Sequence, residues 1–135
     1  MLDQNSQKIL YVDDEENVRR LVVRIMAKNG FQCDEAADGR EALAMLEETD
    51  YALMIADINM PNMTGIELLD IAKKKYRDLA VIMLTGVDDR DIAIKTLELG
   101  AFGYVIKPFE QNEVVINAVN ALRRHEISYV VLSAE

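Results

Sequence analysis

Strand-like and helix-like patterns alternate five times along the chain. The runs at 8–12, 51–56, 80–84 and 103–106 are almost continuously apolar. Such runs predict parallel strands covered on both faces rather than a sheet with one wet side. A further strand at 32–36, QCDEA, is polar and suits a sheet edge. Between the strands, apolar residues recur at helical spacing. Val18, Leu21, Val22 and Ile25 follow i, i+3, i+4, i+7, and Asn29-Gly30 supplies the stop. Asp38 and Glu41 stand at capping-box spacing ahead of Ala42, Leu43 and Leu46, as do Thr64 and Glu67 ahead of Leu68, Leu69 and Ala72. After Asp88-Asp89 the fourth helix is less regular, with Ile92, Ala93, Ile94, Leu97 and Leu99 spread around it. The fifth, from about 111, carries Val115, Ala118, Val119 and Leu122 on one stripe.

Five β–α units without a long gap predict an α/β domain built on a doubly wound parallel sheet with five helices. Right-handed crossovers narrow the topology, and for five strands the flavodoxin-like order 2-1-3-4-5 is the natural choice. That order places the polar second strand at an edge. It also places the first and third strands at the switch point, where ligands bind beyond the carboxyl ends of strands. Asp13 and Asp14 end the first strand and Asp57 ends the third, while Thr85 and Lys107 follow the fourth and fifth. Charged side chains are rare at the end of a buried run unless they are paired or bind something. These strand ends therefore predict one shared site.

Three carboxylates within about 4–5 Å repel one another by roughly 3–4 kcal/mol per pair at an effective dielectric near 20. Such a cluster binds a cation or protonates one of its members. Hard oxygen ligands that leave places for water and phosphate suit Mg2+ or Mn2+. Capping of the first helix by Asp13 or Asp14 is an open alternative for those two, but it does not account for Asp57. A carboxylate can attack phosphorus and form an acyl phosphate, and that meeting of anions needs a metal and a fixed cation. Lys107 offers the cation, Thr85 a hydroxyl donor, and Gly86 room for the incoming group.

The set resembles the receiver domain of two-component response regulators, over essentially residues 7–124. The matching strings are Asp13-Asp14, Asp57 with Met60-Pro61, Met63 and Gly65, then Thr85-Gly86, and Lys107-Pro108-Phe109. Each is weak alone; in this order and at strand ends they are specific. The resemblance implies that Asp57 accepts a phosphoryl group from a sensor histidine kinase or a histidine phosphotransfer protein. It implies Mg2+ bound by Asp14 and Asp57, by Asp13 largely through water or directly, and by the main-chain carbonyl of Asn59. It makes Thr85 and Tyr104 a coupled switch, Lys107-Pro108 a cis peptide, and Asn59 and Val87 the positions that tune acyl-phosphate lifetime. Val87 cannot position an attacking water, so slower self-dephosphorylation is expected than with an acid or amide there. The fourth helix, fifth strand and fifth helix become the reporting face and a candidate homodimer contact. The resemblance points to a switch that promotes only its own phosphorylation and dephosphorylation, not to an enzyme acting on a separate metabolite.

Bulk properties narrow the alternatives. The 135 residues suit one domain, and a net charge of −9 argues against direct nucleic-acid or anionic-membrane binding. No apolar run approaches the roughly 18 residues of a membrane span, and MLDQNSQK lacks a signal pattern. Cys33 excludes an internal disulfide, fits a reducing cytoplasm, and reads as a small core-side residue. His125, the only histidine, suits the solvated end of the fifth helix. A Mg2+-dependent aspartyl phosphatase of the haloacid-dehalogenase type would need an acid where Asn59 stands. A flavin carrier would meet repulsion from DDEE after the first strand, and an interaction module would leave the acids as surface charge. The expected division is an N-terminal extension at 1–7, a receiver domain at 8–124, and a helix extension or linker at 125–135. The apolar tail leaves open a single-domain regulator or the receiver part of a longer chain with an output domain beyond residue 135.

Overall fold

The computed structural model describes residues 7–86 and 89–134, with side chains as far as residue 124. Position 87 and the side chain of residue 125 therefore lie outside the described residues, as does the stretch 1–6. The strands are β1 (Lys8–Val12), β2 (Cys33–Ala36), β3 (Tyr51–Asp57), β4 (Ala80–Thr85) and β5 (Gly103–Ile106). The helices are α1 (Glu16–Lys28), α2 (Gly39–Glu48), α3 (Gly65–Lys75), α4 (Arg90–Glu98) and α5 (Gln111–Ala134). All strand pairs are parallel, in the order β2-β1-β3-β4-β5. The expected fold and strand order are thus those observed.

Alternation along each strand sends side chains to two apolar layers. Leu10, Val12, Met54, Ala56, Val81 and Met83 meet α2 and α3 through Ala42, Leu46, Leu68, Leu69 and Ala72. Ile9, Tyr11, Leu53, Ile55, Ile82 and Leu84 meet α1 and α5 through Val22, Met26, Val114, Ala118 and Leu122. Every residue of β3 is buried, as a central strand covered on both faces requires.

Two helices turn differently from the expected stripes. In α1, Val22, Ile25 and Met26 are buried, while Leu21 stays 44% exposed on the flank. Among the described side chains of α5 the buried ones are Val114, Ala118, Ala121 and Leu122, and Val115 is only half-buried. Neighbouring apolar residues define two stripes about 100° apart. The structure selects the one that carries Val114 and Ala121.

The caps follow the chemistry of the residues. Thr64 and Glu67 form a full capping box on α3. Asp38 accepts from the Glu41 N–H at 2.8 Å, but the Glu41 carboxylate reaches the Ala37 N–H instead of closing the box. Asp89 caps α4 by accepting from the N–H groups of Asp91 and Ile92. At α1 the N-cap position is Glu15, with no side-chain cap bond. Asp13 accepts from the Glu15 N–H just ahead of that helix, at 3.0 Å.

Candidate functional site

The parallel register brings the carboxyl ends of β1, β3, β4 and β5 together. β3 extends through Asp57, which pairs with Leu84, and β4 extends through Thr85, which pairs with Ile106. Asp57 and Thr85 are thus the last residues of their strands rather than the first beyond them. The Lys107 N–H donates to the Thr85 carbonyl at 2.6 Å and carries the ladder one residue past β5. The Lys107-Pro108 peptide bond is cis.

Asp13, Asp14 and Asp57 each offer a carboxylate oxygen, and these oxygens lie within 4.8 Å of one another. Asp13 and Asp57 are buried and Asp14 is exposed. Lys107 reaches in from the end of β5, with Nζ 3.1 Å from Asp13 Oδ2 and 3.1 Å from Asp57 Oδ2. Asp57 Oδ1 accepts from the Asn59 main-chain N–H at 3.2 Å. Burial pushes the Asp57 carboxyl above its usual range, although the Lys107 ammonium pulls in the opposite direction. Burial alone would lower the Lys107 pKa; the bonds to Asp13 and Asp57 outweigh it and hold the ammonium charged.

The loop after β3 is fixed by backbone packing. The Gly65 N–H donates to the Ile58 carbonyl at 2.8 Å. A Cβ on Gly65 would overlap the Asp57 carbonyl oxygen and lie 2.7 Å from the Ile58 Cα. Glycine there lets the start of α3 press directly against the strand end that carries Asp57. Gly86 is the opposite case, since a Cβ on it would meet nothing within 4 Å. The Thr85 side chain is buried, and Tyr104, half-buried, packs with the layer beneath α2 and α3. Cys33 is half-buried, and burial, followed by Asp34 and Glu35, pushes its thiol up to about 12.

Two neighbours of the site were not legible as such. The Tyr11 hydroxyl donates to Asp13 Oδ2 at 2.8 Å. Arg19 donates through Nη1 to the Asp13 carbonyl at 2.9 Å and through Nε to Glu35 at 3.0 Å, tying the end of β1 to β2. Tyr11 lies in an apolar run and reads as core. The rule that i and i+2 share a face of a strand could have linked it to Asp13. Arg19 stands one turn into α1, where an arginine is ordinarily solvated.

An all-oxygen donor set with more negative than positive charge fits a hard divalent cation. Asp57 is a buried carboxylate beside the Lys107 ammonium. Residues 9–120 match the family described as response regulator receiver domain. The chain is 34% identical over 125 residues to the transcriptional regulatory protein SrrA of Staphylococcus aureus, covering 93% of this chain and 52% of that protein. It therefore spans about half the length of the curated relatives it matches. A response regulator receiver domain protein from Clostridium thermocellum superposes with a TM-score of 0.85 at 32% identity, covering 90% of this chain and 98% of the other. NtrX from Brucella abortus superposes with a TM-score of 0.91 at 30% identity, over 96% of this chain and 30% of that one.

Fold and matches together place the chain among the receiver domains of two-component signalling systems. The chain belongs to the response regulator receiver domain family.

Proposed function

We propose that Asp57 accepts a phosphoryl group in a Mg2+-dependent reaction and that the domain reports this outward. The observation that carries the reading is the trio Asp13, Asp14 and Asp57, gathered within 4.8 Å beside a lysine bonded to two of them. Asp14 and Asp57, the Asn59 carbonyl, and Asp13 directly or through water would hold the cation. When bound, Mg2+ or Mn2+ offsets charge on the phosphoryl oxygens.

The residues divide the remaining work. One Asp57 oxygen attacks phosphorus as the phosphorus–nitrogen bond of a phosphohistidine breaks, and the imidazole leaves with the electron pair and takes a proton. Burial weakens hydration of the attacking carboxylate, and the Asn59 N–H fixes its other oxygen. Lys107 offsets the added charge. Thr85 donates its hydroxyl to a phosphoryl oxygen, and Gly86 leaves room for it. Tyr104 moves with Thr85 and alters the surface formed by α4, β5 and α5, where Ile94, Leu97, Ile106 and Ile116 are exposed.

The donor is a sensor histidine kinase or a histidine phosphotransfer protein, and the compartment is the cytoplasm. Among the described residues no helix is long and apolar enough to cross a membrane. The receiver domain spans 8–124, with 1–7 an extension and 125–135 a helix extension or the start of a linker. The output lies in an interaction partner, a homodimer through α4, β5 and α5, or a segment beyond residue 135; the net charge of −9 argues against direct nucleic-acid contact by this part. Asn59 and Val87 set the acyl-phosphate lifetime, and Val87→Gln should shorten it. A phosphatase role is disfavoured because the Asn59 amide cannot serve as an acid.

The reading is tested by adding beryllofluoride and Mg2+ and following amide NMR shifts. Changes should begin around Asp57 and extend through Thr85 and Tyr104 to α4 and α5. Changes confined to the acidic pocket would contradict the proposed readout face.

A further inference from the structure

Tyr11 is a fully buried side chain, and its hydroxyl is spent on one oxygen of a fully buried carboxylate. An ionised carboxylate is an acceptor with about four lone-pair positions. On Asp13, Oδ1 takes the Glu15 N–H at 3.0 Å, while Oδ2 takes both the Tyr11 hydroxyl at 2.8 Å and Lys107 Nζ at 3.1 Å.

The two donors on Oδ2 are not equivalent. Lys107 is shared, because its Nζ lies at the same 3.1 Å from Asp57 Oδ2. It carries a full charge on a flexible stem, so a new anion on Asp57 competes for it. Tyr11 is neutral and rides on β1, its ring enclosed by the layer under α1 and α5. Its hydroxyl bond to Asp13 is separate from the lysine's. Without it, Oδ2 of this buried carboxylate would lose both of its protein donors as Lys107 departs, and buried anions stripped of donors are costly.

We propose that Tyr11 is a positioning residue that keeps Asp13 oriented and hydrogen-bonded while Lys107 is drawn to the phosphoryl group on Asp57. The inference rests on the phosphoacceptor reading above. It places the effect of Tyr11 in the loaded state rather than in cation binding alone.

The test is calorimetric titration of the whole chain and of Tyr11→Phe, first with Mg2+ alone and then with beryllofluoride at saturating Mg2+. Phenylalanine keeps the buried ring, and urea unfolding run alongside reports the integrity of each protein. Mg2+ affinity should stay within about threefold, whereas beryllofluoride affinity should fall about tenfold, the scale of one hydrogen bond to a charged group. Tyr51→Phe, which removes a tyrosine–aspartate bond remote from the pocket, should change neither. A merely structural role would lower the unfolding midpoint and leave both affinities intact. Wild-type beryllofluoride affinity in Tyr11→Phe would overturn the inference, and so would equal weakening of both titrations. If the unaltered protein bound neither probe, the phosphoacceptor reading would fall and take the inference with it. If it bound both and Tyr11→Phe matched it, the inference alone would fail.

Discussion

Tyr11 donates to Asp13 over 2.8 Å at the end of β1, and Tyr51 donates to Asp34 over 2.6 Å between β3 and the edge strand β2. The chemical pair is the same and the surroundings are not. Tyr11 and Asp13 are both 0% exposed, and Asp13 shares its oxygens with Lys107 and the Glu15 N–H. Tyr51 is nearly buried, but Asp34 lies in solvent. Water can replace the tyrosine on Asp34 and cannot do so on Asp13. Hydrogen-bond length therefore says little about consequence here. Whether the acceptor has an alternative partner decides it. The same contrast separates Lys107, which bridges two buried carboxylates, from the ion pairs on the helix surfaces.

The largest effect should come from Lys107→Met, which leaves Asp13 and Asp57 buried without their ammonium. We expect a stability loss of about 3 kcal/mol by urea denaturation, in the range measured for breaking one side of a buried pair. A loss no larger than for a surface pair would erase the distinction between pocket and edge. Gly65→Ala should follow, at about 2 kcal/mol, because its Cβ meets main chain rather than a yielding side chain. Gly86→Ala should stay within about 0.5 kcal/mol in the same assay, since its Cβ enters open space.

The tyrosines provide the direct comparison. Tyr11→Phe should cost about 1.5 kcal/mol and Tyr51→Phe less than about 0.5 kcal/mol in unfolding experiments. Equal costs would show that burial of the acceptor does not control the outcome. The smallest effect concerns pH. Burial raises the Asp57 pKa above its ordinary 3.8, so the native state holds that proton more tightly than the unfolded chain. Its contribution to stability is full below 3.8 and is lost as pH rises through the raised native value. Asp57→Asn lacks this loss. The variant should gain on the unaltered protein as pH rises from acid to neutral, whereas parallel stability curves would contradict the assignment.

Much of this was legible in the sequence, for identifiable reasons. Strands covered on both faces must be apolar throughout, so β1, β3 and β4 announced themselves, and the polar β2 announced an edge. Asp57 and Lys107 stood out because charge at the end of such a run is costly. Tyr11 did not, because an aromatic in an apolar run carries no mark of the hydroxyl's partner. Arg19 did not, because its contact with the site is to a main-chain carbonyl. The rotation of α5 was hidden because Val114 beside Val115, and Ala118 beside Val119, support two stripes equally well. Only packing against the sheet distinguishes them.

The central claim is that Asp57 is the residue that receives phosphate. It is tested most directly by brief incubation with acetyl phosphate and Mg2+, followed by mass spectrometry of the intact protein and of its peptides. The account predicts a single phosphate adduct, carried by the peptide containing Asp57, lost with a chelator, and absent from Asp57→Asn. An adduct that persists unchanged in Asp57→Asn, or none on the unaltered protein, would contradict it.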